Sequence, residues 1–352
     1  MQNIESMQAK AEKKNLIFRP HFKTHQSLAV GRWFKKLGID KITVSSVDMA
    51  KYFASDGWRN ITIAFPVNLL EIDAINALAK SIKLNITLLS LETVRELKSK
   101  LSFPAGFFIK IDAGYHRTGI DIENVELIDQ ILEEAQEAPL LNFKGFLVHN
   151  GHTYHTKSKE EILNIHNNSA KAIQSLRKRY TDYENLLISF GDTPSCSLSN
   201  SFKGIDEIRP GNFVFYDIMQ QDLGACDYKQ IAVALACPIV AAHPERNELV
   251  IYGGAVHLSK DYITVGKKKV FGKVVRIDHN KRWGAPIEGL WVEKLSQEHG
   301  IIKGEAEAIQ SFKPGDLLGI LPVHSCLTAD AMRGYFTPEN QFIDHLSGNN
   351  LE

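Results

Sequence analysis

The sequence predicts an α/β protein, a (β/α)8 TIM barrel followed by an antiparallel β domain, and three observations carry that expectation. Eight short β-branched runs recur through the first two thirds of the chain. Each is followed by a polar stretch whose apolar residues return every three or four positions, as a helix facing a core requires. Beyond about Gln230 the helical stretches stop, and strands alternate with Gly, Pro and Asn turns.

The opening "MQNIESMQAKAEKKN" has no apolar core segment and reads as an amphipathic helix, not a signal peptide. The strand runs are then "LIFRPH" (16–21), "KITVSSV" (41–47), "NITIAF" (60–65), "KLNITLL" (83–89), "GFFIKID" (106–112), "FKGFLVHN" (143–150), "NLLISFG" (185–191) and "EIRPGNFVFYD" (207–217). Stretches such as "DMAKYFASDGW" and "ENVELIDQILEEAQEA" supply helices between them. Strict alternation implies parallel strands with right-handed crossovers, and eight units in this length match a TIM barrel. An open doubly wound sheet is the competing architecture, but no GxGxxG follows the first strand. The later runs "QIAVALACPIVAAHP", "NELVIYGGAVHLS", "KKKVFGKVVRID" and "DLLGILPVHS" form the second domain, giving an expected division into 1–229 and 230–352 with a C-terminal tail.

The chain has 352 residues, with 41 basic and 41 acidic side chains. That balance removes any general attraction to nucleic acid or to an anionic membrane, so the expected partner is a small molecule. No window is long and apolar enough to span a bilayer. The cysteines, Cys196, Cys226, Cys237 and Cys326, are scattered without a CxxC pair, which suggests a reducing, cytoplasmic setting.

A (β/α)8 barrel builds its active site at the C-terminal ends of its strands. In "FRPHFKTHQS", Arg19, His21, Lys23 and His25 occupy every second position, so a continuing strand would point them to one face. Lys23 has an ordinary alternative as a snorkelling surface lysine. At a strand end among basic neighbours, burial and like charge would instead lower its pKa and suit it to Schiff-base formation. Later strand ends offer Asp112, His116 and Arg117, then His149, His152 and Tyr154. The loops "FGDTPS" and "RPGNF" follow strands seven and eight, where barrels commonly bind phosphate, and Thr193 and Asn212 add donors to their backbone amides. Either loop alone could be a simple turn. A reactive lysine with phosphate cradles matches pyridoxal 5'-phosphate. In "LPVHSCLTAD", His324 and Cys326 would alternate on a strand and share one divalent metal, with zinc favoured by imidazole and thiolate.

Together "RPHFKTH", "IDAGYHRTG", "HNGHTY", "SFGDTPS", "RPGNFVFYD" and the late "HSC" resemble the D-serine dehydratase and D-threonine aldolase family, fold-type III pyridoxal phosphate enzymes related to alanine racemase. The resemblance covers about Asn3 to Met332. It implies a homodimer with a metal beside the cofactor and a D-amino acid substrate. Lys23 resembles the Schiff-base lysine and Tyr154 a cofactor-contacting tyrosine. Thr193, Gly211 and Asn212 fall in the phosphate-binding motifs, while His324 and Cys326 match the metal pair. Arg117, His25, His149 and His152 fall in motifs that line the site. Members usually carry one more strand ahead of the first helix, whereas this chain opens inside that helix.

The resemblance leaves two outcomes after bond breaking at Cα. Proton removal by Lys23 with loss of hydroxide gives a 2-oxo acid and ammonia, as in a dehydratase. Removal of the hydroxyl proton by His149 or His152 gives glycine and an aldehyde, as in an aldolase. The HxC pair favours the dehydratase, because the aldolase pattern would place an aspartate two positions after the histidine. Zinc is the expected ion and manganese the second choice. A racemase and a non-catalytic cofactor-binding protein rank behind these readings.

Overall fold

The computed structural model describes residues 1–346, so the end of the expected C-terminal tail, 347–352, lies outside the described residues. The chain forms two compact units. Of the described residues, one holds Met1–Lys23 with Val30–Gly211, and the other holds Thr24–Ala29 with 212–346.

The first unit contains all eight expected strands: β1 Ile17–Phe18, β2 Lys41–Val44, β3 Asn60–Pro66, β4 Lys83–Leu88, β5 Ala105–Asp112, then, after a two-residue edge strand β6 Ile120–Asp121, β7 Leu141–His149, β8 Leu187–Gly191 and β9 Glu207–Ile208. They pair in the order β1-β9-β8-β7-β5-β4-β3-β2. Every pairing along that path is parallel. A single parallel bridge, His21 to Thr43, joins the two ends, with the Phe22 amide donating to the Thr43 carbonyl at 2.9 Å. Strands covered on both faces read as continuous apolar runs, and β5 is buried along all but its last residue. The intervening helices start on polar caps. Ser46, Ser90, Asn124 and Ser158 each accept the amide three residues on, a fold-wide use of short side chains to satisfy first-turn donors.

Two local expectations fail in this unit. After Phe18 the chain leaves the strand and turns over 22–25, so Arg19, His21, Lys23 and His25 do not alternate on one face. The run 207–217 is a strand only over Glu207–Ile208, because Pro210 has no amide to pair and Asn212–Val214 coils into a 3-10 turn.

The second unit is a closed six-stranded antiparallel barrel rather than an open sheet. Its strands are β10 Leu235–His243, β11 Glu248–Tyr252, β14 Gly272–Arg276, β15 Trp291–Leu295, β16 His299–Lys303 and β17 Leu317–Pro322, with a hairpin of β12 Ile263–Val265 and β13 Lys268–Val270 beside them. Alternation is strict at the start of β10, where Leu235, Cys237 and Ile239 enter the core and Ala236, Pro238 and Val240 stay outside. Closure removes the edges that an open sheet would expose. Short helices interrupt the strands at Ala255–Leu258, Ala306–Gln310 and Ser325–Met332, although strands alone are expected there. No helix among the described residues is long and apolar enough to cross a membrane.

Candidate active site

The floor of the first barrel is polar. Arg19 Nε lies 2.6 Å from Glu207 Oε2, Glu207 Oε1 accepts from the Ser189 hydroxyl at 2.6 Å, and Ser189 Oγ accepts from Arg209 Nε at 2.7 Å. Arg209 also donates to the Val148 carbonyl at 2.6 Å. The chain of bonds fixes the start of the "RPGN" loop against β7 and β8. Burial lowers the Arg209 pKa to about 10, against the pull of Glu207.

Above this floor the strand ends gather cations. Lys110 in β5 is buried, and burial, followed by the charges of Arg117, Arg209 and Lys23, lowers its pKa to about 8. Burial and then positive neighbours, Lys23 and Arg209 for both and Arg117 for His149, hold His21 and His149 well below the ordinary imidazole value. Lys23 itself is exposed, so the burial expected for it is absent. The like charge is present: Lys23 acts on His21, Lys110 and His149.

His149 donates from Nδ1 to the Gly191 carbonyl at 2.6 Å, which leaves Nε2 as the basic nitrogen. Asp112 Oδ1 accepts the amides of Gly114, Tyr115 and His116, folding the loop that carries Arg117. Arg117 lies over the Tyr115 ring at 4.9 Å, and Tyr115 stacks on His152 at 6.0 Å. Burial lowers the His152 pKa. Tyr154 accepts the Thr193 amide at 3.2 Å, and Asp192 accepts the Ser195 amide at 2.7 Å while lying 3.1 Å from the Thr153 hydroxyl. The loops after β7 and β8 are therefore one hydrogen-bonded body. The buried side-chain atoms at these loops without a protein hydrogen-bond partner include the Thr193 hydroxyl and both amide atoms of Asn150. Buried polar groups are almost always satisfied, so a polar ligand such as a phosphorylated pyridine fits here. Lys23, Arg117, His149, His152, Tyr154, Thr193 and Gly211 all belong to this unit.

His25 and Asn212 belong to the second unit. His25 accepts the Ser27 amide at 3.1 Å, and burial, with the neighbouring His345, brings its pKa down to about 3. Asn212 donates to Asp217 at 2.6 Å and lies 3.5 Å from the Cys326 sulfur.

The expected metal pair is not on a strand. β17 ends at Pro322, His324 caps the helix Ser325–Met332, and Cys326 lies in its first turn. His324 and Cys326 still interact. His324 Nδ1 lies 2.7 Å from Asp261 Oδ2, and Cys326 Sγ lies 3.2 Å from the Thr24 hydroxyl. Against the effect of burial, Asp261, Cys326 and Asp217 raise the His324 pKa to about 10. Among the described residues no three His, Cys, Asp or Glu side chains group as a metal set. An imidazole oriented by a carboxylate, beside a thiol in a helix's first turn, suits a divalent ion that keeps open positions.

Lys110 and Asp261 were not among the expected site residues. Lys110 was readable, since it shares the inward face of β5 with Asp112 by period two. Asp261 lies in a turn with no pattern.

A parallel barrel with a cationic mouth, joined in one chain to an antiparallel barrel carrying a His–Cys pair, defines a fold-type III pyridoxal phosphate enzyme. Residues 1–218 match the family described as "Alanine racemase, N-terminal domain", and residues 232–337 match the "Putative serine dehydratase domain". A D-serine dehydratase of Dictyostelium discoideum is 30% identical over 99% of this chain and 93% of that protein. A D-threo-3-hydroxyaspartate dehydratase of Delftia sp. is 24% identical over 95% and 90%. A metal-free form of a D-threo-3-hydroxyaspartate dehydratase mutant superposes with a TM-score of 0.90 at 22% identity, covering 99% of this chain and 94% of that one. The chain belongs to the D-serine dehydratase and D-threonine aldolase family of pyridoxal phosphate-dependent lyases.

Proposed function

We propose that the protein is a D-serine dehydratase-like lyase that removes water from D-3-hydroxy amino acids, giving a 2-oxo acid and ammonia. The observation that carries this reading is the His324–Cys326 pair, with its imidazole held by Asp261 at 2.7 Å. It is supported by whole-chain similarity to a D-serine dehydratase. Lys23 is the amine that holds the cofactor aldehyde, and Thr193, Tyr154 and the Gly211 backbone serve its phosphate. The bound cofactor supplies an electron sink for the bond broken at Cα, and the ion on His324 and Cys326 supplies a Lewis acid for the 3-hydroxyl.

Lys23 takes the α-proton. Arg117, exposed and seated on Tyr115, is placed to pair with an anionic group of the bound molecules. His149 presents its basic Nε2 to the site, the group that the aldolase alternative would use on the hydroxyl proton, and His152 is held against Tyr115 beside it. His25 and Asn212, expected as cofactor residues, also bond within the second unit and stay in the proposed cofactor set. A homodimer, zinc or manganese as the ion, and a cytoplasmic setting belong to the same proposal.

The test incubates protein loaded with cofactor and zinc with D-serine, D-threonine and D-threo-3-hydroxyaspartate. Formation of 2-oxo acid and ammonia is the expected result. Glycine plus an aldehyde from D-threonine would establish the aldolase instead, and recovery of the L-enantiomer would establish a racemase.

A further inference from the structure

We propose that Asp261 is the positioning residue of the metal pair, fixing His324 in the tautomer that presents Nε2 as a ligand and so setting the affinity of His324 and Cys326 for a divalent ion. The inference rests on reading those two residues as ligands. Asp261 Oδ2 lies 2.7 Å from His324 Nδ1, so Nδ1 is the nitrogen whose proton the carboxylate accepts and Nε2 is the one left to bind an ion. A histidine bonded on one nitrogen by a carboxylate is the arrangement that metal-ligating imidazoles require of their outer partners.

The turn that presents Asp261 is built for the purpose. Ser259 has a φ of 67°, a left-handed conformation that costs a serine about 1–3 kcal/mol. The strain aims the turn so that the Ser259 hydroxyl accepts the Asp261 amide at 3.2 Å. The next residue is anchored, with Tyr262 packed on Phe271 at 5.6 Å and Lys269 over its ring at 4.5 Å.

The other nearby carboxylate cannot substitute. Asp217 already accepts from Asn212 at 2.6 Å, from the Ser325 amide at 3.0 Å and from the Gln220 amide at 2.9 Å. Its bonds fix the first turn of the Cys326 helix. Asp217 thus serves the thiol side of the pair and Asp261 the imidazole side.

The test measures zinc affinity of the full-length protein by competition with a chromophoric chelator, in wild type, Asp261→Ala, Asp261→Asn and Cys326→Ala. Asp261→Ala is expected to bind zinc 10–100-fold more weakly. Asp261→Asn keeps an acceptor for the Nδ1 proton and is expected to fall between wild type and Ala, a graded rescue that a structural role would not give. Cofactor absorbance is expected to be equal in all, since Lys23 and its loops are untouched. With cobalt in place of zinc, the thiolate-to-metal band is expected in Asp261→Ala and absent in Cys326→Ala. Wild-type affinity in folded Asp261→Ala, or in Asp261→Asn should Ala misfold, would overturn the proposal while leaving the metal pair intact. Wild-type protein that binds no zinc would overturn the reading beneath it.

Discussion

Glu207 and Arg19 form an ion pair 2.6 Å long in the barrel floor, with side chains 0% and 5% exposed. A parallel barrel is ordinarily packed with branched apolar side chains, so a charged floor directly below the strand ends has a specific consequence. The carboxylate ties β1, which leads to Lys23, to β9, which leads to the "RPGN" loop, and through Ser189 it also orients Arg209. Glu207→Gln leaves Arg19 buried without its counter-charge. The expected loss is about 3–5 kcal/mol of unfolding free energy, as for other broken buried pairs. Urea denaturation reads it directly. A midpoint equal to wild type would show that the floor is not held by this pair.

Asp192 gives a pH-dependent prediction. Burial raises its pKa to about 6, against the opposing bonds from Ser195 and Thr153. The native state therefore holds this proton more tightly than the unfolded chain, whose carboxyl titrates near the ordinary value of about 3.9. Between those values the contribution of Asp192 to stability falls as pH rises, and above about 6 the cost is complete. Asp192→Asn keeps an acceptor for the Ser195 amide without a charge. The difference in stability between variant and wild type is expected to grow in the variant's favour from pH 4 to pH 6 and then level, reaching at most about 3 kcal/mol. Taking the difference cancels His21 and His149, whose lowered pKa values act with the opposite sign as pH falls below about 6.5. Parallel stability curves would reject the assignment.

Most of this arrangement was legible from residue order, and the reasons for the failures are local. The eight barrel strands were readable because strands buried on both faces must be apolar throughout and are separated by amphipathic helices. The end of β1 was not, since four basic residues at alternate positions look the same whether the strand runs on or turns after His21. His324 and Cys326 were found as a chemical pair but placed on the wrong element. Cysteine in a helix's first turn leaves no periodic signal, and an eight-residue helix is too short to show one. Closure of the second sheet depends on the β10–β17 pairing, which joins Leu235 to Ile320 across most of that unit. Sequence-local patterns carry no such information. Asp261 was invisible for the same reason, being a turn residue whose partner lies 63 positions away.

Metal removal is expected to separate the two halves of the chemistry. Dialysis against a chelator, or Cys326→Ala, removes the ion without touching Lys23, Thr193 or Tyr154. The cofactor's visible band is expected to persist while formation of 2-oxo acid from D-serine falls at least a hundredfold, about 2.7 kcal/mol or more in barrier height. Zinc is expected to restore the chelated wild type and not the variant. Full turnover in metal-free protein would remove the ion from the reaction.

Gly151 tests whether the position of Tyr115 matters to turnover. A Cβ at residue 151 would lie 2.1 Å from the Tyr115 ring, a contact that no side chain tolerates. Tyr115 is the surface on which His152 stacks and over which Arg117 lies. In Gly151→Ala the ring must shift, taking the two side chains with it, while the barrel floor and the strands remain in place. Gly151 stands at the start of a 3-10 turn, which alanine can also form, so the main-chain cost is small. A displacement of about 1 Å at groups that orient reactants costs on the order of a hundredfold in rate. Gly151→Ala is therefore expected to lose about that factor in kcat for D-serine, with its thermal midpoint within a few degrees of wild type and its cofactor bound. Equal loss of stability and activity would mean that the alanine disrupts the loop as a whole. Unchanged kcat would mean that Tyr115 and its partners lie outside the reaction.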